Sequence, residues 1–118
     1  MPVPARRLID AFLAADVPSA AALLAPDACF HSPIRDYAGA EEIASVWSAV
    51  AGVVQKARQT SVYERERETI AFFLGTIKDR SVDGVVRTLT DENDRVSDIL
   101  LMIRPWAALK AGLADVNP

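Results

Sequence analysis

Apolar residues follow two different periods along the chain, helical in the first half and strand-like in the second. The helical spacing predicts a first helix from near Pro4 to near Asp16 and a second, short helix over residues 20–25, which Pro26 ends. The clearest helical period begins at Ala40 and predicts a third helix. Its apolar positions are Ile43, Val46, Trp47, Val50, Val53 and Val54.

The second half is typical of strands. Residues 99–103 form an unbroken apolar run, ILLMI, which indicates a strand covered on both faces and ended by Pro105. Turn residues at 78–80 and 91–94 separate this run from two earlier strands. The pattern predicts strands over residues 28–33, 59–63, 69–77, 82–90 and 95–104, a loop over 34–39 and a closing helix over 106–113.

Helices that come first and strands that come last indicate an α+β fold with an antiparallel sheet. We expect one domain over residues 1–118, in which a curved sheet wraps around the third helix as a half-open cone with an apolar pocket inside. Period two then places Phe30 and Ser32 on one face of the first strand, and Cys29 and His31 on the other.

Composition narrows the class of protein. The chain has 118 residues, 51% of them hydrophobic, and a net charge of -3, with its basic residues scattered, which disfavours a nucleic-acid partner. No apolar stretch approaches the roughly 18 residues of a membrane span. The single cysteine, Cys29, fits a reducing compartment, so we expect a cytoplasmic protein. His31 is the only histidine and has no convergent ligands in the sequence, so we expect no metal and no cofactor.

Three sequence motifs then indicate a family resemblance: LLAPDACFHSP at residues 23–33, the Tyr37 and Gly39 of YAG, and DENDRVSDILLMIRPWAAL at residues 91–109. In this order and spacing they resemble the nuclear transport factor 2-like superfamily, and most of all its SnoaL-like and ketosteroid-isomerase-like members. The resemblance covers nearly the whole chain. It implies an α+β cone that is commonly dimeric through the outer face of its sheet.

The resemblance does not extend to the family's catalytic residues. Ketosteroid isomerases hold a general-base aspartate just before the proline that ends the first strand, where this chain has Ser32. Their oxyanion-hole tyrosine and protonated aspartic acid fall at about Leu8 and Val86, and neither residue type is retained. The arginine and aspartate of related epoxide hydrolases are also missing from the penultimate strand. The resemblance therefore implies the fold without the known active sites.

The catalytic residues, if any, stay open, with His31, Asp36 and Tyr37 as weak candidates. Parity directs His31 away from the pocket. Arg35, Asp36 and Tyr37 lie on a loop near its mouth, which is either an ordinary turn or a contact for a polar end of a ligand, and the ordinary turn is preferred. Ser32 faces the pocket, as a donor to a ligand or as a satisfied strand end. The predicted ligand-binding residues are Phe12, Phe30, Ser32, Tyr37, Trp47, Phe72, Val86, Thr88, Ile99, Leu101 and Ile103.

Three functions remain open from the sequence. The first is a binding protein for a small apolar molecule, such as a steroid-like or polyketide-like ring. The second is an isomerase, cyclase or hydratase that uses a non-standard acid–base set. The third is a structural dimer module whose cone is filled by side chains. Leu100 and Met102 point outward from a central strand, so we expect a homodimer through that face.

Overall fold

A computed structural model describes residues 3–114 and Val116. The helices are α1 (Val3–Leu13), α2 (Val17–Ala21), α3 (Ala40–Val50) and α4 (Trp106–Leu113). The strands are β1 (Leu24–His31), β2 (Asp36–Ala38), β3 (Gln55–Arg65), β4 (Glu68–Ile77), β5 (Arg80–Thr90) and β6 (Val96–Arg104).

The six strands form one curved sheet in the order β2-β1-β6-β5-β4-β3. Strands β3 to β6 follow one another as antiparallel hairpins, and β2 folds back antiparallel on β1. The single parallel junction joins β1 to β6, the first strand to the last. The α+β class with helices at the N-terminus, a curved sheet and a short C-terminal helix is confirmed.

The inner face of the sheet is the one that the helices cover. Ile43 and Trp47 of α3 and Leu8 and Ile9 of α1 are all at most 1% exposed and pack in one cluster with this face. A smaller cluster lies beneath α4 and contains Ile77, Val82, Ala108 and Leu109. The burial of these apolar side chains supplies most of the favourable free energy with which the helices pack on the sheet.

Two glycines allow unusually close packing. A Cβ atom on Gly112 of α4 would lie 2.5 Å from Cγ2 of Ile77, so α4 can approach β4 only with glycine there. A Cβ atom on Gly84 would lie 2.5 Å from Cζ of Phe73. The absence of a side chain on Gly84 therefore makes room for the ring of Phe73. Gly84 pairs with Phe73 and Ile103 in regular register, so it does not mark the bulge that a glycine in a strand suggests.

The boundaries of the early elements differ from those predicted. The second helix ends at Ala21, because Leu24 and Ala25 are buried in β1 instead. Pro26 falls where the β1–β6 register shifts, between Leu24 and Cys29, so its missing N–H costs no ladder hydrogen bond. The third helix ends at Val50 and not at Val54, because Gly52 turns the chain with a φ of +86°.

The strand boundaries also differ. The predicted loop over residues 34–39 contains the three-residue strand β2, which is too short to show a period. Strand β3 begins at Gln55 and is therefore longer than predicted. No helix of the described residues is long and apolar enough to cross a membrane.

Candidate functional site

A cavity of about 130 Å³ lies between the inner face of the sheet, α3 and the C-terminal helix α4. Its wall combines side chains of α1, α3 and the inner strands with the segment that links α3 to β3 and with Leu109 and Leu113 of α4. Seven of the predicted ligand-binding residues contribute to this wall: Phe12, Phe30, Ser32, Tyr37, Trp47, Leu101 and Ile103.

Four aromatic rings form one continuous part of the wall. The ring of Trp47 lies 5.1 Å from that of Phe12 and 5.5 Å from that of Phe30, measured between centroids. Tyr37 stacks on Phe30 at 6.0 Å. Contacts at these distances hold the rings in place and give the cavity a fixed shape. The indole N–H of Trp47 is buried and has no hydrogen-bond partner among the described residues.

Phe72 does not line the cavity, which corrects one predicted ligand-binding residue. It lies on the outer face of the sheet and is 44% exposed, whereas its neighbour Phe73 is 2% exposed and lines the wall. Because adjacent strand residues point to opposite faces, only one of the two can face the helices. The register settles the choice, since Phe73 shares its face with Ala71, which pairs with Val86.

Val86, Thr88 and Ile99 also lie outside the cavity wall, although they do face inward. Each is 0% exposed, in the part of the core where α1 packs against β5 and β6. None of the three lines the cavity. The sequence identified their face, but it did not show how far along the strands the cavity extends.

The mouth of the cavity is marked by exposed wall residues on three connecting segments: Ala15, Pro33, Ile34, Ala51 and Gly52. Ser32 anchors one of these segments. Its hydroxyl donates to the carbonyl oxygen of Arg35 at 2.7 Å and accepts the backbone N–H groups of Ile34 and Arg35. The hydroxyl proton of Ser32 is therefore used within the turn. Of the two roles predicted for Ser32, a donor to a ligand or a hydrogen-bonded strand end, its contacts match the second.

Tyr37 is the one catalytic candidate that lines the cavity. It pairs with Phe30 in the β1–β2 ladder, so it shares the inward face of that residue. No residue in the described ranges hydrogen-bonds its hydroxyl group. The guanidinium carbon of Arg35 lies 4.7 Å from the centroid of its ring, within cation–π distance.

His31 and Asp36 meet each other on the outer face, away from the cavity. Nδ1 of His31 lies 2.9 Å from Oδ1 of Asp36, and Nε2 lies 2.9 Å from Oδ1 of Asp98. Oδ2 of Asp98 also accepts a hydrogen bond from Nη2 of Arg87 at 2.5 Å. Nη1 of Arg87 lies 4.0 Å from Oε2 of Glu68. These five residues are the outer charge network. Hydrogen bonds to Asp36 and then Asp98 raise the pKa of His31, because an imidazolium donates through both nitrogens.

The family resemblance assigned Leu8, Ser32 and Val86 to the positions of catalytic groups in ketosteroid isomerases. Leu8 and Val86 are 0% exposed in the apolar core, and Ser32 is tied into its turn. Among residues 3–114, the cavity wall includes no aspartate, glutamate, histidine or cysteine. The same ranges contain no group of acidic, histidine or cysteine side chains that is arranged to hold a metal ion. The wall can therefore enclose an apolar molecule, with hydroxyl and indole groups as its polar chemistry.

Wall residues that the sequence analysis missed come mainly from connections and from the closing helix. Val54 and Leu109 belong to segments that were assigned to a helix face or a tail, and only the folded chain brings them to the cavity. Phe73 was available from the sequence. The inward parity that was correct for Leu101 and Ile103 selects it once the strands are paired.

Solved structures share this architecture. An uncharacterized bacterial protein with a cystatin-like fold from Silicibacter pomeroyi DSS-3 superposes with a TM-score of 0.87 and 21% identity, over 97% of this chain and 84% of that one. A steroid delta-isomerase from Pseudomonas aeruginosa superposes with a TM-score of 0.82 and 24% identity, over 96% and 88%. An NTF2-like protein of unknown function from Cytophaga hutchinsonii ATCC 33406 gives 0.70 and 11%, over 90% and 91%.

At these identities the structural likenesses establish the fold alone. None of the curated proteins matches this chain in sequence. The SnoaL-like domain family, in contrast, matches residues 5–91, which is most of the chain. The curved sheet, the helices inside it and this match together show that the protein belongs to the SnoaL-like domain family of the nuclear transport factor 2-like superfamily.

Proposed function

We propose that this protein binds a small apolar molecule inside its cone and does not catalyse acid–base chemistry there. The observation that carries the proposal is the chemistry of the cavity wall. Aliphatic and aromatic side chains surround the space, and Tyr37 supplies a hydroxyl that no described residue uses. Pockets of this kind take up apolar ligands and orient them with a few polar groups.

The volume of the cavity limits the ligand. An apolar cavity of about 150 Å³ is enough to admit benzene in another protein. The cavity here measures about 130 Å³, which corresponds to one six-membered ring. A fused steroid is several times larger and would leave most of its rings outside the mouth. A single-ring compound, or one ring of a larger molecule, is therefore the ligand that fits best.

The arrangement of titratable groups disfavours the enzyme alternative. Proton transfer needs an acid or base within hydrogen-bond reach of the substrate. His31 and Asp36 are paired with each other on the outer face. The sequence resemblance assigns the buried Val86 to the position of an isomerase's aspartic acid. The likeness to a steroid delta-isomerase, at 24% identity, shows a shared fold and not a shared reaction.

A fluorescence titration tests the proposal. Trp47 lines the cavity and Trp106 is 53% exposed, so the Trp106→Phe variant leaves one reporter at the site. We expect toluene and cyclohexanol to change the emission of Trp47 saturably, and a four-ring steroid to bind more weakly. No saturable change with any single-ring compound would contradict the proposal.

A matched pair of variants locates the binding. Ile103→Phe adds volume to the cavity wall, whereas Met102→Phe adds the same ring one residue away on the outer face. We expect Ile103→Phe to reduce binding at least tenfold and Met102→Phe to leave it unchanged. Equal effects of the two variants would show that the probes bind elsewhere.

We also propose a homodimer through an apolar area of the outer face, the outer patch. Phe72, Val85 and Met102 lie side by side across β4, β5 and β6, with Phe72 44% and Met102 53% exposed. Tyr63, Leu74 and the half-buried Leu100 extend the patch on the same face. Contiguous apolar area of this kind is typical of a protein interface.

Light scattering at micromolar concentration tests the dimer. We expect the unmodified chain to have the mass of two copies and Met102→Lys to have the mass of one. Ile34→Lys, which alters an exposed apolar residue at the cavity mouth, is the control and should remain dimeric. A monomeric unmodified chain would contradict the proposal.

We propose a cytoplasmic location as well, which the free thiol of Cys29 supports, because unpaired cysteines persist in reducing compartments. Fractionation of cells that express the chain at its native level tests this directly. Recovery in the membrane or extracellular fraction would contradict it.

A further inference from the structure

A positive charge is held in place at the mouth of the cavity. The turn that begins at Ser32 fixes the backbone of Arg35, since the Ser32 hydroxyl contacts both its N–H and its carbonyl oxygen. The guanidinium group then lies over the ring of Tyr37, a wall residue, with its central carbon 4.7 Å from the ring centroid. Arg35 is exposed, but its guanidinium group is held against a residue of the cavity wall.

No carboxylate in the described part of the chain neutralises Arg35. Its sequence neighbour Asp36 is turned to the outer face, where it lies 2.9 Å from Nδ1 of His31. The cavity wall contains no acidic residue within residues 3–114, so nothing there opposes an anion at the mouth. A guanidinium without a protein partner can form two parallel hydrogen bonds with a carboxylate.

We infer that the ligand is a small carboxylic acid with one ring, which lies with its ring in the cavity and its carboxylate at Arg35. This inference rests on the proposed function and names the ligand class. The hydroxyl of Tyr37, which no described residue hydrogen-bonds, supplies a second donor on the ring that Arg35 covers. The wall selects the ring by size, and Arg35 selects its charged end.

Two nearly isosteric probes separate the charge from the ring. Phenylacetate and phenylacetamide carry the same ring, but only the first is an anion at neutral pH. We expect phenylacetate to bind the Trp106→Phe protein roughly five- to tenfold more tightly at low salt, as an accessible but bidentate ion pair would produce. Added salt should reduce this ratio, because it screens an exposed pair.

Substitutions at Arg35 test whether its charge causes the difference in affinity between the two probes. Arg35→Gln should lower the affinity for phenylacetate to that for phenylacetamide and leave the amide unchanged. Arg35→Lys should fall between, because it keeps the charge and loses the two-pronged geometry. Arg65→Gln is the matched control, since it removes the same charge at the far end of β3 and should change neither affinity.

The outcomes distinguish the inferred ligand class from the proposed binding function. Equal binding of both probes to the unmodified and the Arg35→Gln proteins would overturn the inferred ligand class and leave the cavity as a binding site. Failure of both probes while toluene or cyclohexanol still binds would also overturn the ligand class. Failure of all four compounds to bind would overturn the proposed function itself. Equal unfolding temperatures of the Arg35 variants would confirm that the affinities do not reflect misfolding.

Discussion

The two faces of the sheet carry opposite chemistry. The inner face presents Phe73, Leu101 and Ile103 to a cavity whose described wall residues include no aspartate, glutamate or histidine. The outer face carries the charge network centred on His31 and Asp98, beside the outer patch. The comparison teaches that titratable groups are present in the chain, but alternation along the strands directs them away from the enclosed space.

The largest expected effect contrasts two neighbouring phenylalanines. Phe73→Ala should lower the free energy of unfolding by about 4 kcal/mol, because it removes a ring that is 2% exposed and leaves a cavity. Phe72→Ala, on the outer face, should lower it by about 1 kcal/mol. Urea denaturation of both variants at one protein concentration measures the difference. Equal losses would contradict the assignment of the two faces.

The second effect concerns the outer charge network. Asp98→Asn should lower the free energy of unfolding by about 2 kcal/mol, because Asp98 receives hydrogen bonds from both His31 and Arg87 and is only 22% exposed. Asp83→Asn is the control. It weakens a pair with Arg104, whose side chain is 82% exposed, and should have no measurable effect. If the two variants were equally stable, the network would be an ordinary set of surface charges.

The third effect is smaller and concerns the boundary between the faces. Ser32→Ala should cost about 1 kcal/mol, because it removes the hydroxyl that holds the mouth turn, much as the loss of a helix cap does. Ser48→Ala on the exposed side of α3 should be neutral or slightly stabilising. Ligand affinity should change little, since Ser32 does not have a free proton to donate. A large loss of affinity at unchanged stability would assign Ser32 to the ligand instead.

The smallest effect is the pH dependence that His31 introduces. Its pKa is raised above the ordinary value of 6.5, so the folded state favours the protonated ring. The stabilisation is therefore complete below pH 6.5 and is lost as the pH rises through the raised pKa.

Comparison with His31→Asn measures this dependence. The difference in free energy of unfolding between the two proteins should be larger at mildly acidic than at mildly alkaline pH. Ligand binding should not follow the same dependence, because His31 lies outside the cavity. A pH-independent difference would contradict the network geometry.

The sequence predicted the fold class because the class follows from local periods and does not require knowing which distant segments pair. Helical and strand periods along the chain were enough to establish α+β. Parity directed His31 outward, and parity together with the family resemblance directed Leu101 inward. What could not be predicted depended on partners distant in sequence. Asp98 lies 67 residues from His31, so their ion pair could not be found before the strands were paired. Phe72 was misplaced for the same reason, since its face depends on the pairing of β4 with β5.

The short segments failed for a local reason. Leu24 and Ala25 have good helix propensity, but burial against the sheet outweighs it. Strand β2 contains three residues and is stabilised by its ladder with β1 and not by any period of its own. Only the error at β2 lies beside the mouth of the cavity, since Leu24 and Ala25 stand at the other end of β1.

The parallel junction between β1 and β6 has a consequence for the synthesis of the protein. On the ribosome, Leu24–His31 emerges long before Val96–Arg104, the strand that it must lie beside in the centre of the sheet. Helices α1 and α3 can form early, but the face that buries them is incomplete until almost the whole chain has been translated. Completion of the apolar interior is therefore a late event, and nascent chains that stall before β6 should depend on chaperones.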